Sequence, residues 1–298
     1  MRIGIDLGGT KIEAIALDDN GKECFRKRIS SPQGSYQNTL DALINLINEV
    51  ETTTQTIATV GIGIPGMISP QTGLVKNANS TWLIGQPLKH DLELSLKREI
   101  RIENDANCFV VSEATDGAAK NAGIVFGVII GTGTGGGIYH SGQSLIGANA
   151  IAGEWGHNPL PWPDKEELVG RKCYCGQQSC IETWLSGPGF SYEHQIQNHL
   201  TEALSAKDIA DSAEAGDKKA QASLRRYEER LAKSLASIIN IIDPDVIVLG
   251  GGMSNIQRLY QNVPQLWGKY IFSDEVVTKL VPPQHGDASG VRGAAWLW

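Results

Sequence analysis

The sequence predicts an α/β protein of two related lobes with a metal-binding loop, and three observations carry that prediction. A strand, a glycine-rich turn and a second strand occur in immediate succession twice, first in residues 2–17 and again in 124–140. Segments with apolar residues at helical spacing alternate with short apolar runs, the pattern of sheets covered by helices. Between the second repeat and the C-terminal third stands a tight cluster of cysteines with a histidine upstream. With 298 residues, 41% of them hydrophobic and 20% charged, the chain suffices for one large domain or two ordinary ones.

In chain order, Arg2 to Asp6 reads as a strand, Leu7-Gly8-Gly9-Thr10-Lys11 as a tight turn, Ile12 to Leu17 as a second strand and Cys24 to Ile29 as a third. This is an antiparallel meander. Consecutive glycines let a backbone approach a ligand closely and leave N–H groups for phosphate oxygens, while Asp6 at the strand end suits Mg2+ held through water. No helix follows the turn, so this is not a P-loop. Leu40, Leu43, Ile44, Ile47 and Val50 predict an amphipathic helix over 37–50, with the Thr-rich stretch 52–56 as a polar connection. Val60 to Ile64 is a buried strand ending in Pro65-Gly66, where glycine permits close approach. The loop from Lys76 to Trp82 is polar and aromatic, and Asn79 in it is a candidate sugar contact or a turn-stabilising side chain.

Ile100 to Glu103 is a short strand, and Asn104-Asp105 opens a helix to about residue 119 with Ala106, Phe109, Val110 and Ala114 inside. Asp105 stands where an N-cap would, at a strand end where α/β sheets also bind ligands, so it can serve as cap and base together. Ile124 to Ile130 is a strand, Gly131-Thr132-Gly133-Thr134-Gly135-Gly136-Gly137 a glycine turn, and Ile138 to His140 the next strand. A third turn, Gly250-Gly251-Gly252-Met253, follows the strand Asp245 to Leu249 and a long helix carrying Leu224, Leu231, Leu235, Ile238 and Ile242. Gly290 to Trp298 closes the chain as a docking helix.

Cys173, Cys175 and Cys180 with His157 form a Cys3His set suited to a closed tetrahedral structural zinc, with 158–172 wrapping the knot as a loop. Glu154 and Glu182 bracket the set, and a metal knot would hold both carboxylates in place, as a sugar's hydroxyls require. Cys24 and Cys108 read as ordinary core residues, and five cysteines, an odd number, fit a reducing compartment. The net charge of −7 argues against a general binder of nucleic acid or anionic membrane. No run approaches 18 apolar residues and the start passes straight into a strand, so a cytoplasmic protein is expected.

Two strand–turn–strand halves facing each other can grip one polyphosphate, as actin-like folds hold ATP. The chain resembles the ROK family of sugar kinases and sugar-responsive repressors in Asp6-Leu-Gly-Gly-Thr-Lys11, Gly63-Ile-Pro-Gly66, Glu103-Asn-Asp-Ala-Asn107, Gly131-Thr-Gly133, Gly153-Glu-Trp-Gly-His157, Cys173-Tyr-Cys-Gly176, Cys180-Ile-Glu182 and Asp243 to Gly252. Asn77 to Leu83, Glu154 to Trp162 and Val291 to Trp298 resemble the bacterial fructokinase branch. Ser179 departs from the glycine usual before the third cysteine.

The resemblance implies an actin-like (ribonuclease H-like) ATPase fold, with an N-terminal lobe over 1–119, a C-terminal lobe over 120–287 holding the zinc knot 157–180, a cleft between them, and the helix near 288–298 packing back on the first lobe. It further implies Asp105 as the catalytic carboxylate and Asp6 serving magnesium. Gly8, Gly9, Thr10, Lys11, Gly131, Thr132 and Gly133 would face the phosphates of ATP, and Gly250, Gly251 and Met253 the adenosine. Gly66, Asn79, Asn104, Asp105, Glu154, His157 and Glu182 would meet the sugar, with His157, Cys173, Cys175 and Cys180 on zinc. The implied reaction is phosphorylation of a hexose, fructose at its 6-position foremost, with glucose, mannose or N-acetylglucosamine kinases and a sugar-sensing regulator as alternatives. Dimers are common in the family, and a homodimer stands as an open expectation.

Overall fold

The computed structural model describes residues 1–78 and 80–298; the expected sugar contact Asn79 lies outside the described residues. Strands β1 (Arg2–Leu7), β2 (Lys11–Leu17) and β3 (Glu23–Ser30) pair antiparallel as the expected meander. Next come α1 (Tyr36–Thr54), β4 (Thr59–Ile64), β5 (Met67–Ile68), β6 (Val75–Lys76), α2 (Leu88–Leu96), β7 (Arg101–Asn104) and α3 (Asp105–Thr115). The second repeat supplies β8 (Ile124–Ile130), β9 (Thr134–His140) and β10 (Gln143–Ser144). Beyond the cysteine-rich segment lie α4 (Glu182–Leu185), α5 (Gly187–Gln197), α6 (Ala206–Glu214), α7 (Lys218–Ile242), β11 (Val246–Gly250), α8 (Arg258–Trp267), β12 (Lys279–Val281) and α9 (Ser289–Ala295).

Two five-stranded sheets result, ordered β3-β2-β1-β4-β7 and β10-β9-β8-β11-β12. Their orders correspond strand for strand. In each, the first strand of a meander is flanked on its free side by two parallel strands, β4 and β7 in one, β11 and β12 in the other. The repetition seen in the sequence is therefore the repetition of a sheet.

The chain divides into two compact units, Met1–Asn121 with Gly137–Ala152 and Gln284–Trp298, and Ala122–Gly136 with Gly153–Pro283. In the first, Leu40, Leu43, Ile47 and Val50 of α1 pack into a core with Ile3, Ile5, Val60 and Ile62. Helix α9 packs on β1, β2, β4 and α3. It comes so close that a Cβ at Gly61 would stand 1.9 Å from the Ala294 oxygen, and one at Gly293 1.6 Å from that of Cys108. Both contacts require glycine.

In the second unit, α7 buries charge as well as Leu224, Leu231 and Leu235. Arg230 and Lys233 grip the two oxygens of buried Glu167, each at 2.6 Å, and Arg171 and Arg230 grip Glu193. Removing one partner of such a buried pair typically costs about 3–5 kcal/mol, because a charge is left without its counterpart.

Several local expectations need correction. The Thr-rich stretch is the end of α1, because the hydroxyls of Thr52, Thr53 and Thr54 donate back to the carbonyls of Asn48, Glu49 and Val50 and keep the turn helical. The helix opened by Asp105 stops at Thr115 rather than near 119. The chain there wraps around the buried Glu113 carboxylate, which accepts the amides of Ala118 and Gln284, each at 2.9 Å. Strand β9 starts at Thr134, so Gly135, Gly136 and Gly137 lie within a strand rather than a turn. Cys24 is exposed on edge strand β3, unlike buried Cys108. The segment 158–172 is not all loop, since Glu167–Val169 forms a 3-10 turn and Pro159 bridges to Cys180. No helix among the described residues is long and apolar enough to cross a membrane.

Candidate active site and metal centre

Because β1, β4 and β7 run parallel, their carboxyl ends gather at one edge of the first sheet, the edge at which open α/β sheets bind ligands. Register sets Asp6 beside Gly63 and Ile64 beside Asn104. The N-cap of α3 is Asn104, one residue earlier than the sequence suggests: its Oδ1 accepts the Ala106 amide at 2.9 Å and its Nδ2 donates to the Gly66 oxygen at 3.1 Å. Asp105 is the first helical residue, with its own Oδ1 2.8 Å from the same amide. It lies exposed in the first turn of the helix.

Asp6 is partly buried, and burial followed by the nearby charges of Asp105 and Glu13 pushes its pKa up to about 6, against Lys11 and Arg28. The two carboxylates are near enough for their charges to repel, and carboxylate oxygens are the donors that a hard divalent cation such as Mg2+ takes. Glu103, one position before the cap, accepts from Asn107 Nδ2 at 2.6 Å, and burial holds its pKa above the usual range. Gly66, at φ 104°, carries the β5–β6 hairpin so tightly that a Cβ there would stand 2.5 Å from the Lys76 oxygen.

The two glycine turns close by the same device. The Gly8 amide donates to the Lys11 oxygen at 2.9 Å, and the Gly131 amide donates to that of Gly133 at 2.9 Å. Gly9, Thr10, Lys11 and Thr132 are exposed beside these bonds. In the second unit Gly131 and Thr132 line a cavity of about 860 Å3 together with Gly187 and Pro188 of α5, Lys207 and Asp211 of α6, and Gly252 and Met253. The structure thus brings the second and third glycine turns to one concavity. Gly251, at φ 78°, instead packs on Ile130, and Gly250 ends β11.

The expected zinc ligands converge. One donor atom from each of His157, Cys173, Cys175 and Cys180 lies within 4.8 Å of all the others. Cys175 Sγ is 3.6 Å from Cys180 Sγ, and His157 Nδ1 is 3.5 Å from Cys173 Sγ. A tetrahedral zinc with bonds near 2.3 Å to sulfur has ligand–ligand edges of roughly 3.5–3.8 Å, so the donor set fits the ion. The knot is pinned from two sides. Trp155 Nε1 donates to the Gly135 oxygen at 2.9 Å, and Gly156 sits where a Cβ would be 2.0 Å from the Thr134 oxygen, which fixes the Glu154–His157 stretch against β9. Ser179 holds a left-handed φ of 57° where glycine would be unstrained, and its hydroxyl donates to the Glu167 oxygen at 3.1 Å and accepts from Trp184 Nε1 at 3.1 Å.

Sequence reasoning missed three participants. Thr134 donates its amide to Glu182 Oε2 at 2.9 Å, tying the carboxylate after the knot to the glycine turn. Tyr174 places its hydroxyl 3.0 Å from His157 Nε2, the nitrogen turned away from the cysteines. The walls that α5 and α6 add to the cavity carry no motif; only the Gly-Pro-Gly at 187–189 hints at close backbone approach.

With this geometry in place, similarity to known proteins decides the family. The ROK family model matches residues 2–298. The chain belongs to the ROK family. It is 40% identical over 303 residues, covering 100% of this chain and 99% of the relative, to an N-acetyl-D-glucosamine kinase of Escherichia coli O139:H28. Among solved structures, a ROK hexokinase from Thermus thermophilus superposes with a TM-score of 0.87 at 26% identity, covering 99% of this chain and 96% of that one. A ROK family glucokinase from Streptomyces griseus, in complex with glucose and AMPPNP, gives 0.79 at 25% identity, covering 99% and 98%. These neighbours carry the actin-like ATPase fold expected from the sequence.

Proposed function

We propose that this ROK sugar kinase transfers the γ-phosphoryl group of MgATP to the 6-hydroxyl of D-fructose, giving fructose 6-phosphate, and that it also accepts mannose. The observation that carries the reading is the pair Asp105 and Asp6 at the carboxyl edge of the first sheet, one exposed at a helix start, the other partly buried and raised to about 6 by burial and its neighbour. Phosphoryl transfer asks for positioning and charge neutralisation more than covalent chemistry. Asp105 orients the acceptor hydroxyl and takes its proton; a late proton transfer in a loose transition state lets an ordinary carboxylate suffice. Mg2+, held through Asp6, would neutralise phosphate charge.

In this reading Gly8 to Lys11 and Gly131 to Gly133 meet phosphates, and Gly250, Gly251 and Met253 belong to the adenosine side. The bound AMPPNP of the Streptomyces glucokinase supports ATP as donor. Gly66, Asn79, Asn104, Glu154, His157 and Glu182 hold the sugar. Zinc is structural, since four protein donors leave no open position for an activated water. The enzyme is cytoplasmic in this reading.

Fructose is favoured by the fructokinase-like segments 77–83, 154–162 and 291–298. N-acetyl-D-glucosamine is the second reading, favoured by the name of the 40% identical relative. Coupled turnover of ATP with fructose, mannose, glucose and N-acetyl-D-glucosamine decides between them. The highest kcat/KM is expected with fructose, and a higher value with N-acetyl-D-glucosamine transfers the assignment to that sugar.

A further inference from the structure

His157 has two ring nitrogens and the structure gives them different partners. Nδ1 faces Cys173 Sγ at 3.5 Å within the cluster of metal donors, whereas Nε2 faces the Tyr174 hydroxyl at 3.0 Å. A neutral imidazole that ligates through Nδ1 carries its proton on Nε2. Tyr174 therefore accepts that N–H, and its own hydroxyl hydrogen remains to be donated elsewhere. The rings meet edge to face, with centroids 5.1 Å apart at 88°. Yet Tyr174 is 79% exposed, so little packing holds it there. It borders an open cavity of about 570 Å3 shared with Thr132, Glu182, Lys172 and Tyr192.

A phenol and a sugar hydroxyl offer His157 the same chemistry, an oxygen that accepts one N–H and passes on its own hydrogen. We propose that Tyr174 stands in for the sugar: in the sugar-free protein its hydroxyl occupies the place on His157 Nε2 that a sugar hydroxyl takes, and it is displaced on binding. This rests on the sugar-kinase reading above. The contact keeps the imidazole N–H partnered while the site is empty, and every sugar that enters has to break it. Tyr174 is thus a positioning residue for His157 that lowers sugar affinity.

The test is Tyr174→Phe in the zinc-loaded protein, which keeps the ring edge and removes only the hydroxyl. Dissociation constants for D-fructose and N-acetyl-D-glucosamine are measured by titration calorimetry without nucleotide, alongside zinc content and the rate of zinc loss to a chelator. The expected result is binding about three- to tenfold tighter, the worth of one partly exposed hydrogen bond, with zinc retention unchanged. Equal or weaker sugar binding overturns the proposal, and faster zinc loss with weaker binding assigns Tyr174 to metal retention instead. If the wild-type protein binds and phosphorylates neither sugar nor any other hexose of the panel, the kinase reading itself fails and this inference falls with it.

Discussion

Glu182 Oε2 accepts the Thr134 amide at 2.9 Å, so the carboxylate that follows the metal knot is bonded to the strand that leaves the second glycine turn. A Cβ built at Gly133 would stand 2.8 Å from that same oxygen. Within the second unit, a residue assigned to the sugar is therefore hydrogen-bonded to the residue that directly follows those assigned to phosphate.

Gly133→Val should act on both substrates for this reason. The added side chain occupies the backbone face assigned to phosphate and displaces Glu182, so KM should rise for ATP and for sugar, each by about tenfold or more, with lower kcat. Steady-state kinetics with either substrate varied provides the check, and a rise confined to ATP would dissociate Glu182 from sugar binding.

Asp105→Asn should lower kcat by several orders of magnitude while sugar affinity stays within about tenfold, because the amide still accepts a hydrogen bond but cannot take the proton. Single-turnover rates and a separate binding titration distinguish the two effects. Turnover near the wild-type level would remove Asp105 from the chemistry.

Asp6 makes a prediction in pH. Its pKa of about 6 in the folded protein lies above the ordinary 3.8, so the native state holds this proton more tightly than the unfolded chain does. Its contribution is most favourable below pH 4 and is lost as the pH rises through 6, leaving a cost on the order of 1–3 kcal/mol at neutral pH. Asp6→Asn should therefore melt higher than the wild type at pH 7.5 without Mg2+, with the gap closing toward pH 4.5, yet lose turnover. Thermal melts at the two pH values, with and without Mg2+, measure it; Mg2+ should raise the wild-type melting temperature only.

Zinc removal, or Cys175→Ser, should lower the melting temperature and weaken sugar binding by about tenfold or more, since His157 is one of the knot's donors and Glu154 and Glu182 adjoin its ligands in the chain. Nucleotide affinity should fall less, since Glu182 is tied to the strand that leaves the second glycine turn through the Thr134 amide rather than to the turn itself. Metal analysis, melting curves and separate binding titrations test this, and sugar binding that survives complete loss of zinc defeats the structural assignment.

Patterns that are local in the chain were legible without coordinates. The repeated strand–glycine turn–strand units became matching sheets, and the Cys-x-Cys-x4-Cys spacing with His157 became one donor cluster, because a turn's glycines and a knot's ligands act within a few residues of one another. What the tertiary structure alone decided depends on groups far apart in sequence. The end of α3 is set by Glu113 collecting amides from residues 118 and 284, and the tight seat of α9 by Gly61 and Gly293. Asn104 displaced Asp105 as the cap because its amide has a second partner in Gly66, which a one-dimensional capping rule does not see. The Glu182–Thr134 bond spans 48 residues, and the Tyr174 contact depends on which His157 nitrogen the cysteines face. Side-chain orientation and long-range pairing are products of packing, and composition, periodicity and spacing carry no record of them.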